Sequence, residues 1–113
     1  MATEDDVEAF LDDFKAKLSV FNIVFYAREK NRETLLELEI SPLERENIVK
    51  NLSVEDYSEG PLGDNNGGPD LWVFGKLVKG REVYIKVTMG AFNCSTICIS
   101  FHFAEHPMNY PFN

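Results

Sequence analysis

The sequence predicts an α+β fold in which N-terminal helices pack on a small antiparallel sheet. Two observations carry this expectation. Residues 4–18 repeat apolar side chains at helical spacing, and residues 71–103 alternate apolar with polar ones. A period of 3.6 gathers side chains on one side of a helix, whereas alternation sends neighbours to opposite faces of a sheet. With 113 residues, 44% hydrophobic content and nine Phe, residues 1-113 form a single domain with one modest core.

The first helix is expected over about residues 4–18. Thr3-Glu4-Asp5-Asp6 offers an N-cap and an acidic first turn, which suits the helix dipole. Val7, Phe10, Leu11, Phe14 and Leu18 form its apolar side, and the acidic side reads as solvated. Val20 to Tyr26 is apolar, β-branched or aromatic, and reads as a buried strand. Glu33 to Leu38 is a short helix. Ser41-Pro42-Leu43-Glu44 is a capping box with Pro at the first helical position. The helix that it opens runs to about Asn51 and is expected to bury Leu43, Ile48, Val49 and Leu52. Helices and first strand thus fill about 4-52.

Gly60, Pro61, Gly63, Gly67, Gly68 and Pro69 crowd the stretch 57-70, which reads as a mobile loop. Three strands follow within about 71-104. They are Leu71 to Lys76, Glu82 to Val87 and Ile97 to Phe103. Lys79-Gly80 is a hairpin turn, with Gly supplying positive φ. A two-residue turn sets Gly75 across from Tyr84 and Val73 across from Lys86, leaving open space beside the Tyr84 ring. Strict alternation puts Val83, Ile85, Val87, Ile97, Ile99, Phe101 and Phe103 on a core face. Tyr84, Lys86, Thr88, Cys98, Ser100 and His102 fall on the other. Pro107 and Pro111 make 105-113 an extended tail, packed on the sheet by its aromatics.

Several function classes are disfavoured. No run of about 18 apolar residues is present, so no membrane span is expected. The acidic N-terminus lacks the basic-then-apolar pattern of a signal peptide, and a cytoplasmic protein is expected. Cys94 and Cys98, about 13 Å apart if on one strand at about 3.3 Å per residue, read as free thiols. Metal-ligand spacings, phosphate loops and nucleophile elbows are missing, so neither metal nor cofactor is expected. A net charge of −8 argues against nucleic-acid binding. The charge is uneven, however. Between Val73 and Phe103 the chain carries Lys76, Lys79, Arg81 and Lys86 against Glu82 alone.

The polar sheet face is the candidate site. A ribonuclease that works without metal needs a base for the 2′-hydroxyl proton, an acid for the leaving 5′-oxygen, and cations for the phosphorane. Glu59 as base, His102 as acid, and Lys86 or Arg81 as cation fill these roles, since imidazole titrates near neutrality. Tyr84 and Lys86 can donate to an anion. Lys76 and Arg81 flank the hairpin, and Ser100 shares the face of His102, so these three are candidate phosphate contacts. His106, before Pro107, reads as structural or solvated.

Leu52-Ser53-Val54-Glu55-Asp56-Tyr57, Leu71-Trp72-Val73-Phe74, Gly80-Arg81-Glu82-Val83-Tyr84-Ile85-Lys86-Val87 and Ile99-Ser100-Phe101-His102, in that order, resemble the C-terminal half of the MqsR family of toxins. The resemblance covers about residues 45–103 and is sharpest in the Gly-x-x-Val-Tyr-Ile-Lys strand. It implies a RelE-like fold, metal-independent mRNA cleavage, and control by a partner antitoxin in a type II toxin–antitoxin system. Of that family's functional positions, the Tyr is kept as Tyr84, with Lys86 beside it. The others are occupied by Glu59, Val73 and His102, where Glu59 with His102 resembles the Glu and His pair of related RelE-like nucleases. Two other readings compete. One is a catalytically inactive RelE-like interaction module that binds a partner protein through the sheet edge or the acidic helix. The other is a small-ligand domain with 58–70 as a lid.

Overall fold

The computed structural model describes all residues, Met1–Asn113. The elements are α1 (Glu4–Phe21), β1 (Ile23–Phe25), α2 (Glu29–Leu38), α3 (Pro42–Lys50), a 3₁₀ turn (Val54–Asp56), β2 (Tyr57–Leu62), β3 (Leu71–Val78), β4 (Arg81–Thr88) and β5 (Thr96–Phe103). The fold is α+β. Its five-stranded sheet runs β1-β5-β4-β3-β2 and is mixed, because β1 pairs with β5 in parallel while the other pairs are antiparallel.

Local sequence explains the starts of α1 and α3. Thr3 and Ser41 both form complete capping boxes, with Asp6 and Glu44 respectively. In each, the hydroxyl accepts from the N3 amide and the carboxylate accepts from the cap's own N–H. One side of α1 then buries Val7, Phe10, Leu11, Phe14 and Leu18. Phe10 stacks on Trp72 of β3 at 4.6 Å between ring centres and on Phe14 at 5.5 Å. Val83, Ile85, Val87 and Phe101 complete the sheet side of this core.

Several expectations from the sequence are corrected. Helix α1 runs on to Phe21, and Asn22, with φ 67°, ends it. Val20 is therefore helical and 71% exposed, and the first strand shrinks to Ile23–Phe25 at the sheet edge. Apolar content alone does not separate a frayed amphipathic helix end from a strand. Leu43 is exposed rather than buried, whereas Val49 and Leu52 lie in the core. Helix α2 begins one turn earlier than expected, at Glu29. The first part of the expected loop is strand β2, with Tyr57 fully buried and Tyr57 paired to Phe74. Gly60 and Pro61 survive there because β2 is an edge strand with shifted register, where a missing N–H leaves no ladder bond broken.

The hairpin is as expected. Val78 pairs with Arg81 across Lys79-Gly80, both with positive φ (51° and 81°), so the turn matches the right-handed twist of its strands. Gly75 pairs with Tyr84 and Val73 with Lys86. The space over Gly75 is not open, however. A Cβ there would collide with the Tyr110 hydroxyl and come within 2.9 Å of the Met108 sulfur. The tail crosses the sheet at this point, and Glu82 fastens it by accepting from the Met108 amide (3.2 Å) and the Tyr110 hydroxyl (2.7 Å). Phe112 then stacks on Tyr57 at 5.4 Å.

Strand β5 departs from simple alternation. Lys86 pairs with Ser100 but Val87 pairs with Cys98, so Ile99 is an extra residue, a β-bulge. The bulge reverses the faces before it. Cys98 turns into the core beside Val87, and Ile97 joins Thr88 on the other face, opposite to the expectation for both. Cys98 and Cys94 are free thiols, the first buried and the second exposed. Strand β1 covers only Thr96–Cys98 of the outer edge of β5. Helix α2 covers the rest with two side chains. Asn31 Nδ2 donates to Ile99 O and its Oδ1 accepts from Phe101 N, both at 3.0 Å, and Thr34 Oγ1 accepts from Phe103 N. Both residues are buried and their spacing of three puts them on one helix face. Side chains of a helix thus continue the hydrogen-bond ladder where the strand stops.

Candidate active-site cleft

Two cross-strand rows build the floor of a cleft of about 530 Å³. One row runs Glu59, Val73, Lys86, Ser100 over β2, β3, β4 and β5. The next runs Gly75, Tyr84, His102. Residues directly opposed in a sheet share a face, and Glu59, Tyr84, Lys86, Ser100 and His102 all line this cleft. The tail, from Glu105 to Asn109, forms a wall across it.

Tyr84 and His102 stack at 5.2 Å between ring centres and 11° from parallel. His102 Nδ1 lies 2.9 Å from the Phe103 carbonyl oxygen. A carbonyl only accepts, so Nδ1 carries the hydrogen and Nε2 is the nitrogen left to take or give a proton. Burial raises the pKa of the Tyr84 phenol, and the nearby Glu59 carboxylate raises it further. Tyr84 is thus held as a neutral donor. Three strand spacings, roughly 14 Å of backbone, separate Glu59 from His102. Glu59 and His102 stand towards opposite ends of the floor, with Lys86 and Tyr84 on the strand between them.

Two candidates lie elsewhere. Lys76 pairs across the sheet with Val83, on the helix side, and forms an ion pair with Asp56 at 3.2 Å. Arg81 is also on that side, bonded to Glu37 at 2.9 Å and lying 3.6 Å from the centre of the Phe103 ring. Alternation explains both positions, since 76 and 81 differ in parity from their face-sharing partners across the two-residue turn. Neither is free to meet a phosphate over Tyr84.

Arg28 and Glu105 were not singled out in the sequence, and His106 reads there as structural or solvated. Arg28, from the segment before α2, and His106 and Glu105, from the tail, all line the cleft. Glu105 bonds Lys30 of α2 at 2.9 Å, which lowers its pKa and ties the start of the tail to the helix. Tertiary packing alone brings these three to the sheet. No local pattern announces them. No three His, Cys, Asp or Glu side chains are grouped so as to hold a metal ion, and no helix is long and apolar enough to cross a membrane.

No protein-family model, curated protein or solved structure matches this chain.

Proposed function

We propose that the protein is a metal-independent endoribonuclease, acting as the toxin of a type II toxin–antitoxin pair and restrained by a partner antitoxin. The observation that carries the reading is the convergence of Glu59, Tyr84, Lys86, Ser100 and His102 in one cleft. The strand motifs shared with MqsR-family toxins support it as a resemblance.

In this reading Glu59 takes the proton from a ribose 2′-hydroxyl, and that oxygen attacks the adjacent phosphorus. The bond from phosphorus to the 5′-oxygen breaks, and protonated His102 delivers its Nε2 proton to that oxygen. The products are a 2′,3′-cyclic phosphate and a 5′-hydroxyl. Lys86, Ser100 and the Tyr84 hydroxyl donate to the non-bridging oxygens as charge builds on the phosphorane. Lys76 and Arg81 take no part, being engaged with Asp56 and Glu37.

The test is incubation of the purified protein with a mixed-sequence RNA in chelator, with the new ends mapped. Cyclic-phosphate ends made by the wild type and lost in His102→Ala are expected. RNA left intact by protein free of any bound partner sinks the nuclease reading. One feature favours a second reading, an inactive module that binds a protein. The net charge is −8, and α1 presents Glu4, Glu8, Asp12 and Asp13 to solvent. That reading predicts a stable complex with a partner and no RNA cleavage.

A further inference from the structure

A second cleft, about 520 Å³, adjoins the first and shares Arg28 with it. Phe25, Tyr26 and Leu35 give it an apolar lining, and Arg28, Arg32 and Arg45 converge there. The Arg45 guanidinium carbon lies 3.8 Å from the centre of the Phe25 ring, and that of Arg28 lies 5.9 Å from the centre of Tyr26. The chain's ion pairs join Lys30 to Glu105, Lys50 to Glu46, Lys76 to Asp56 and Arg81 to Glu37, so none involves these arginines. Glu29 lines the same cleft without pairing to them. Arg45 Nε is buried and donates to nothing.

A buried donor without an acceptor is costly. Acids outnumber bases 19 to 11 in this chain, yet three arginines here are left unpaired. Guanidinium forks suit phosphate, and aromatic rings beside them suit bases. Tyr26 is 41% exposed, so its ring is available for stacking.

We propose that this arginine groove binds the sugar–phosphate backbone of a single RNA strand as it leaves the catalytic cleft. Arg28 bridges the two clefts, Arg32 and Arg45 hold successive phosphates, and Tyr26 stacks a base. The proposal rests on the reading of the first cleft as an RNA site and extends it by naming the strand's path.

The test is fluorescence anisotropy with two labelled 2′-O-methyl oligoribonucleotides, a dinucleotide and a hexanucleotide, over a salt series. The methyl group removes the nucleophile, so binding is read apart from cleavage. Arg32→Gln and Arg45→Gln should each weaken the hexanucleotide about five- to tenfold and reduce its salt slope by roughly 0.7, as expected when one phosphate contact is lost. The dinucleotide, which fits the first cleft alone, should bind unchanged. Arg32 is exposed, so its variant is not expected to disturb folding even if Arg45→Gln does. Equal affinity and slope in wild type and both variants overturns the proposal and leaves the groove to an acidic protein segment. Equal weakening of both probes by Arg32→Gln also overturns it, since the groove would then not be a separate subsite. Wild type that binds the hexanucleotide through these arginines yet leaves RNA uncut overturns the nuclease reading alone. Cutting without any effect of the substitutions overturns the groove alone.

Discussion

Tyr84 and His102 face each other across β4 and β5 with their rings stacked 11° from parallel. The stack fixes the plane of the imidazole, and the Phe103 carbonyl fixes its tautomer. A histidine held in this way has one nitrogen available, and a neutral phenol lies beside it.

These constraints separate two roles of Tyr84. Tyr84→Phe keeps the ring stack and removes the donor, so RNA cleavage should fall about 10²-fold, the loss typical of one preorganised donor. His102→Ala removes the acid and should cost about 10²- to 10⁴-fold. Single-turnover cleavage rates for both variants, with binding measured separately, would decide the matter. Equal rates for Tyr84→Phe and wild type would limit Tyr84 to holding the ring of His102.

Asn31 should matter for stability out of proportion to its size. Asn31→Ala strands the Ile99 carbonyl and the Phe101 amide at the bulge, along with the Tyr26 carbonyl that Asn31 also bonds. Urea unfolding should show a loss of about 2–4 kcal/mol at constant m-value. A loss under about 1 kcal/mol would mean that water replaces the side chain at this edge.

The tail should come loose when its anchor is removed. Glu82→Ala deletes the acceptor of the Met108 amide and the Tyr110 hydroxyl, at an expected cost of about 1–3 kcal/mol. Gly75→Ala acts from the opposite side, because its methyl group displaces Tyr110 and Met108. Both variants should raise amide exchange across residues 105–113 while β4 stays protected. Unchanged exchange in both would show that Phe112 on Tyr57 and Glu105 on Lys30 hold the tail.

Alkaline pH should unfold the protein early. Burial pushes the Cys98 thiol up to about 12 from its ordinary value of 9.0. Between those values the native state keeps a proton that the unfolded state has lost, so stability is full below about pH 9 and falls as pH rises towards 12. Tyr110, raised by burial and by its bond to Glu82, and Tyr84 add in the same direction above pH 10. Urea midpoints from pH 8 to 11 should decline, and the Cys98→Ala variant should decline less steeply.

How much of this was legible in the sequence depends on the range of the interactions involved. The capping boxes at Thr3 and Ser41 and the Lys79-Gly80 turn act within four residues, and each formed where expected. The turn fixed the pairing of Gly75 with Tyr84, and so half of the cleft. The bulge at Ile99 was hidden because Ile97 to Phe103 alternates without a break, and only pairing with β4 and capping by Asn31 reveal the extra residue. Asn31 itself reads as one more polar residue in a polar helix. Arg28 and His106 reach the cleft through tertiary packing, for which neighbours in sequence give no sign.

The parallel pairing of β1 with β5 has a consequence for biosynthesis. Ile23 meets Thr96, so β1 waits until β5 has been made. Phe10 waits likewise for Trp72 and Phe74. On the ribosome, α1 emerges with its apolar side uncovered and cannot dock until Trp72 and Phe74 have been made. Such non-local closure is slow and leaves sticky surface open in the meantime. Every nascent copy therefore passes through a period in which chaperones or other chains can reach that surface, and the cleft can assemble only after this period ends.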